Sequence, residues 1–304
     1  LVNRHLWVLV IPVVLNLFLF FGPRLSFAPF LSLRHDQLRV ITGLLTPDPL
    51  QQEELLLTIQ NSDMRVPTAW TNVVPLLPDP LLQHPLPTAE YTVYIRTVAG
   101  VIGAVAAVNL IALVGSALFL TMLAFGVRQQ PISIRPFLAD VGRTVLFIAG
   151  YFVLIIGGVF LIVGPLVFFF PMVVHVFPDI TTMVPPAIFV GWFWLYVYTA
   201  FAIEAIALHR LSPWRAVVAS VNVAQHSFLQ TLGLILISFL IVVGLGRIWV
   251  ALGVSMWGVC VVCLGSSYIG SGLAAARFLF YQERAPQDEE ASQEATQESS
   301  QIDS

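Results

Sequence analysis

Glu204, in the run FAIEAIALHR, is the side chain whose surroundings most suggest chemistry. It and Asp179 are the two formal charges between Thr144 and Leu208. A carboxylate inside so apolar a stretch is costly, and by default it marks proton or substrate handling. It also stands about a turn and a half before His209 and Arg210. From there it can reach the end of the apolar run, which favours a structural role. Asn109, midway along another apolar run, reads as glue between helices. Gly157-Gly158, Gly164 and Pro165 could interrupt their helix and free carbonyls to line a cavity, or simply give a kink or a close contact. His175 and His226 fall on opposite membrane faces and cannot share a metal. Cys260 and Cys263 are two ligands short of a structural zinc site and read as small apolar residues. Ser266, Ser267 and Ser271 have no histidine or aspartate near them in sequence to act as a base. All 14 basic residues are arginine, so no P-loop lysine or Schiff-base lysine exists. No catalytic, cofactor-binding or metal-binding residue is assigned, and a non-enzyme without a cofactor is expected.

The elements that carry these residues must lie in lipid. The 304 residues are 58% hydrophobic and 10% charged, against about 25% charged in a soluble domain. A water-soluble core of this size could not hide so much apolar surface. The expected class is all-α: a polytopic membrane protein of about six transmembrane helices. The spans are Leu6 to Phe21, Tyr94 to Phe125, Thr144 to Phe170, Ala187 to Leu208, Phe228 to Leu245, and Trp249 to about Phe280. Each matches the roughly 20 apolar residues that cross a bilayer, or comes near it. The stretch PMVVHVFPDITTMVPP, Pro171 to Pro186, should turn the chain between the third and fourth. Small residues at Gly103 and Ala107, and at Ser266, Gly270 and Ala274, allow close helix approach.

Four regions follow. Residues 1–30 form an N-terminal anchor, with a signal peptide cleaved after Ser26-Phe27-Ala28 as the rival. Residues 31–90 carry two short amphipathic helices, the second starting at Asp48-Pro49. Then comes a strap rich in proline, from Pro67 to Pro87, extended and irregular because each proline removes a donor. Too short for a core of their own, these residues are expected to lie on the spans, outside the cell. Residues 91–281 form a five-helix membrane domain, and 282–304 a disordered acidic cytoplasmic tail. Arginines in short loops (Arg128, Arg135 and Arg143; Arg210 and Arg215; Arg277 and Arg284) put those loops and both termini in the cytoplasm. The location expected is a plasma membrane, the bacterial inner membrane. No basic face suits nucleic acid.

Two of these loops are alike. FGVRQQPISIRPFLADVGRTVLF, from Phe125, and ALHRLSPWRAVVASVNVAQHSFL, from Ala207, align Arg128 with Arg210, Pro131 with Pro213 and Arg135 with Arg215. They imply a parallel internal repeat. In each, apolar residues share a helical face: Ile134, Phe137, Leu138 and Val141 in one, Trp214, Val217, Val218 and Val221 in the other. Short helices in the inner interface are expected, with Arg128, Arg135, Arg143, Arg210 and Arg215 reaching phospholipid headgroups; simple extension of the spans beyond the bilayer is the alternative. Over residues 91–281 the pattern of span, proline, amphipathic segment and span, as in SPWRAVVASVNVAQHSF, resembles a group of bacterial membrane proteins. It includes the YciC-like family and the membrane domain found beside some glycerophosphodiester phosphodiesterases. The resemblance implies an architecture; the phosphodiesterase domain has no counterpart here, so it implies no hydrolysis. The expected function is non-catalytic: a scaffold, assembly or membrane-organising component in contact with the lipid bilayer and with a membrane-protein partner or a second copy. The alternative is a permease or transporter subunit with Glu204 near its path.

Overall fold

The computed structural model describes residues 6–34, 49–76, 92–129, 133–176, 180–253 and 255–285. Among them the chain is almost wholly helical. Five stretches are long and apolar enough to cross a membrane: Val98–Val127, Ile134–Pro165, Pro186–His209, Phe228–Leu252 and Met256–Arg284. That is the all-α membrane architecture expected from composition. The first apolar segment, Trp7–Phe21, is shorter. The chain falls into two compact units, Leu1–Phe152 with Ser238–Ala275, and Val153–Ile237 with Ala276–Ser304.

In the first unit a 3-10 turn, Leu6–Leu9, leads into α1, Val10–Phe21. Gly22-Pro23 ends it, since proline cannot continue the ladder. A strand, β1 (Arg24–Ser26), and a short helix, α2 (Ala28–Ser32), follow, then α3 (Pro49–Asn61). β1 pairs in parallel with β2 (Thr92–Tyr94), with Leu25 opposite Val93. This small sheet was not foreseen; it ties the end of α1 to the start of α4, Val98–Val127. The Thr97 hydroxyl accepts from the Gly100 N–H at 3.1 Å and starts α4. The later half of α4 is the best-buried stretch of the unit, from Ala112 through Phe119, Leu120 and Leu123 to Val127. α9 (Phe228–Leu252) and α10 (Met256–Arg284) give most of their length to this unit. Val259, Val262 and Cys263 of α10 pack against Leu17 and Phe20 of α1 and Val66.

Of the strap, residues 77–87 lie outside the described residues; residues 62–76 hold the part that is described. They wedge between α1, α4 and α10, with Arg65, Thr68 and Val74 buried. Pro75 sits against Gly270, where an added Cβ would come within 2.2 Å of the proline Cβ. Gly270 is about 21 Å along α10 at about 1.5 Å per residue, close to its midpoint. The non-helical character expected of the strap is present in residues 62–76, which are inserted between the helices. The first amphipathic helix expected beyond Leu31, the Asp48 cap, and the tail beyond residue 285 fall outside the described residues.

The second unit holds the later part of α5 (Ile134–Val176), α6 (Ile180–Thr199), α7 (Ala202–His209), α8 (Pro213–His226), the first part of α9 and the last part of α10. α8 packs on α6 and α7. Trp194 stacks between Tyr198 and Phe228, and Phe201 stacks on Phe280 and Tyr281.

Several expected boundaries move. α5 runs unbroken through Gly157-Gly158 and Gly164-Pro165, so those residues do not interrupt it. A Cβ at Gly157 or Gly158 would meet nothing within 4 Å. Both helices flanking the expected turn continue into the proline-containing stretch, α5 to Val176 and α6 from Ile180; residues 177–179 lie outside the described residues. The break falls instead inside the fourth span, at Ala200-Phe201. The two loops also diverge. Residues from Ile134 continue α5 as one helix, the extension alternative, whereas Pro213–His226 is a separate helix ended at Ser227.

Gly270→Val is expected to lower the apparent melting temperature in detergent, since overpacking costs about 1–3 kcal/mol. Gly272→Val, with open space around it, should leave it unchanged. Equal melting of the two variants would contradict the wedged strap.

Candidate functional site

Two constellations of polar groups lie among apolar helices, one in each unit. The first holds the strap. The Asn109 amide donates to the carbonyls of Thr68 (2.7 Å) and of Val105 in its own helix (2.9 Å), and its oxygen accepts from the Thr71 N–H at 3.2 Å. The Thr71 hydroxyl donates to the Asn109 carbonyl at 2.8 Å. Ser116, two turns further along α4, accepts from the Val73 N–H (2.8 Å) and donates to the Thr71 carbonyl (3.2 Å). Asn16 of α1 donates to the Pro75 carbonyl at 3.3 Å and to Ser267 Oγ of α10 at 3.0 Å. The strap is anchored by a buried ion pair, Arg65 to Asp63, at 2.6 Å. Arg65 also donates to the Phe18 and Leu19 carbonyls of α1. Those carbonyls belong to the last turn of a helix, where a cation is favoured; that of Phe18 also accepts from the Gly22 N–H at 2.8 Å. Asn109 was expected to join two helices; it joins a helix to non-helical backbone.

The second constellation holds the break between α6 and α7. Ser220 of α8 donates to the Tyr198 carbonyl at 2.7 Å and accepts from the Phe201 N–H at 3.0 Å. Arg277 of α10 donates to the Ala200 carbonyl and pairs with Glu204 at 2.8 Å. Glu204 is in the first turn of α7. A cation therefore meets the end of α6 and an anion the start of α7, as both helix dipoles favour. The Glu204 side chain is 5% exposed and that of Arg277 31%. Oε2 of Glu204 is buried without a hydrogen-bond partner. Sequence reasoning singled out Glu204 but missed Arg277 and Ser220. Arg277, in GLAAARFLFY, follows small residues of a helix at a remove of 73 positions from Glu204, and nothing local pairs them.

The other named residues scatter. Arg128 is half-buried and within 4.0 Å of Asp140. Arg135 is exposed, and Arg143, also exposed, lies over the Phe147 ring at 5.0 Å. Arg210 closes α7 in the left-handed region at φ 56°. Arg215 is exposed on α8, whose surface divides into sectors at about 100° per residue. Ala216, Ser220, Val223 and Ala224 face the protein. Trp214 and Val218 form an exposed apolar sector, and Arg215, Asn222 and His226 an exposed polar one.

Compared with protein-family models, with curated proteins and with solved structures, the chain matches none.

Removing Arg277 strands a nearly buried carboxylate and a carbonyl, whereas removing Glu204 strands a partly exposed cation. Arg277→Ala is therefore expected to cost about 3 kcal/mol and Glu204→Ala clearly less. Ser220→Ala, which orphans two backbone groups, should cost about 1–3 kcal/mol. Thermal denaturation in detergent reads the order; Glu204→Ala proving the more damaging would contradict this geometry.

Proposed function

We propose that the chain is a non-catalytic scaffold, assembly or membrane-organising component of the bacterial inner membrane. In this reading it crosses the bilayer six times with both termini in the cytoplasm, in keeping with the arginines of its short loops. The observation that carries it is how the polar side chains within the apolar helices are used. Asn16, Asn109, Glu204 and Arg277 bind the chain's own backbone or each other. Chemistry on a solute needs such groups turned toward that solute. What remains outward is apolar: Phe160, Leu161 and Ile162 on α5, Phe239 and Leu240 on α9. Those faces suit lipid, a partner's spans or a second copy. The sectors of α8 favour an interfacial seat, with Trp214 toward acyl chains and Arg215 toward headgroups. The likeness of the two loops in sequence is what supports a parallel repeat; each also has a non-glycine residue at positive φ, Gln129 and Arg210, one position out of register in the alignment.

One observation favours a permease. Oε2 of Glu204, buried beside an interrupted span, lacks a partner, and interrupted helices recur at transporter binding sites. Glu204→Gln separates the readings. The scaffold reading expects unchanged solute and proton flux in proteoliposomes and a partner, or a second copy, co-purifying in mild detergent. Lost flux in a folded Glu204→Gln protein, or a wild type that purifies as a lone monomer, would count against it.

A further inference from the structure

α10 serves as a ruler at one end of the second unit. Between Arg277 and Arg284, about 10 Å of helix axis, it meets three other elements. Arg277 reaches the Ala200 carbonyl, next after α6, and Glu204 of α7. Phe280 and Tyr281 stack on Phe201, and Tyr281 lies edge-on to His209, the last residue of α7. Arg284 donates to Gln230 in the first turn of α9 at 2.8 Å. Phe228, which opens α9, stacks on Trp194 of α6. The end of α6, α7 and the start of α9 thus gather at one level, with Glu204, Gln230, Arg277 and Arg284 among them. α6 is long enough to cross a bilayer without α7: its 20 residues rise about 30 Å. Trp192, Trp194 and Tyr196, exposed near its end, are the kinds of ring that settle at a bilayer boundary.

The helix that follows, α8, has two exposed sectors side by side, an apolar one with Trp214 and Val218 and a polar one with Arg215, Asn222 and His226. From Ala205 to Ser227 the sequence holds four basic residues, His209, Arg210, Arg215 and His226, and no acidic one. Glu204, just before, is matched by Arg277. We propose that α7 and α8 form a hairpin at the membrane surface, and that the exposed side of α8 binds glycerophospholipids of net negative charge. Arg215 holds the headgroup and Trp214 lies along the acyl chains. An acidic soluble partner would match the charge and leave Trp214 in water. This rests on the interfacial seat of α8 given above and adds the class of lipid it selects. Each arginine near an anionic headgroup layer is worth about 5-fold in affinity.

For the test, the full chain is purified in mild detergent and given equal amounts of phosphatidylglycerol and phosphatidylcholine, and native mass spectrometry counts the lipids it keeps. The wild type should favour phosphatidylglycerol. Arg215→Gln should cut that preference by about 5-fold, and Arg215→Lys should retain it. In nanodiscs, lipid brominated along its acyl chains should quench the part of the tryptophan emission that Trp214→Phe removes. Equal retention of the two lipids by the wild type, a preference that Arg215→Gln leaves intact, or an unquenched Trp214 would overturn the proposal. A chain that co-purifies with a protein partner yet keeps both lipids alike retains the assembly reading and loses this one; a lone monomer with the preference does the reverse.

Discussion

A peptide group held in an apolar surrounding without a hydrogen bond costs several kcal/mol. α-Helices satisfy it internally, and most of this chain takes that course. Two stretches cannot: the strap at 62–76 and the interruption at Ala200-Phe201. Each needs donors and acceptors from elsewhere. Asn16, Asn109 and Ser116 supply them to the strap, Ser220 and Arg277 to the interruption. Asn16, Asn109, Ser116, Ser220 and Arg277 are thus explained by the non-helical backbone beside them. Remove that backbone and they would be expensive ornaments; remove them and the backbone could not stay.

This also shows which features can be read from sequence. Helices such as Val98–Val127 follow from apolar composition, length and a threonine cap, all local signals. The non-helical strap follows from its prolines. Its place between the helices does not, because it depends on Asn109 and Ser267 meeting residues 71 and 16, pairings separated by 38 and 251 positions. Gly270 looked like a site for another helix, and the partner proved to be a proline ring. The glycines of α5 allowed an interruption that the helix does not have. The true one, in YVYTAFAIE, carries no glycine or proline. It depends on a serine and an arginine from two other helices.

Glu204 illustrates how far a buried charge informs function. One of its oxygens is spent on Arg277 and its position favours the start of α7. Those two facts make it a structural group first. The same logic applied to Asn109 shifts attention from the spans to what they hold, a non-helical segment gripped by its backbone. Helices that hold non-helical polypeptide through side-chain hydrogen bonds are the physical basis of the proposed assembly role. Its polar groups serve peptide bonds, and its apolar faces serve lipid or neighbouring spans.

The central claim is that the strap lies between the helices with its backbone against Asn109. Val74 is buried at 3% exposure, and its side chain makes none of these bonds, so a Val74→Cys protein with Cys260 and Cys263 replaced should keep its strap seated. Its one thiol is expected to resist a water-soluble maleimide in the membrane and to react once the protein is denatured. A folded Val74→Cys protein alkylated as freely as its denatured form would contradict the account.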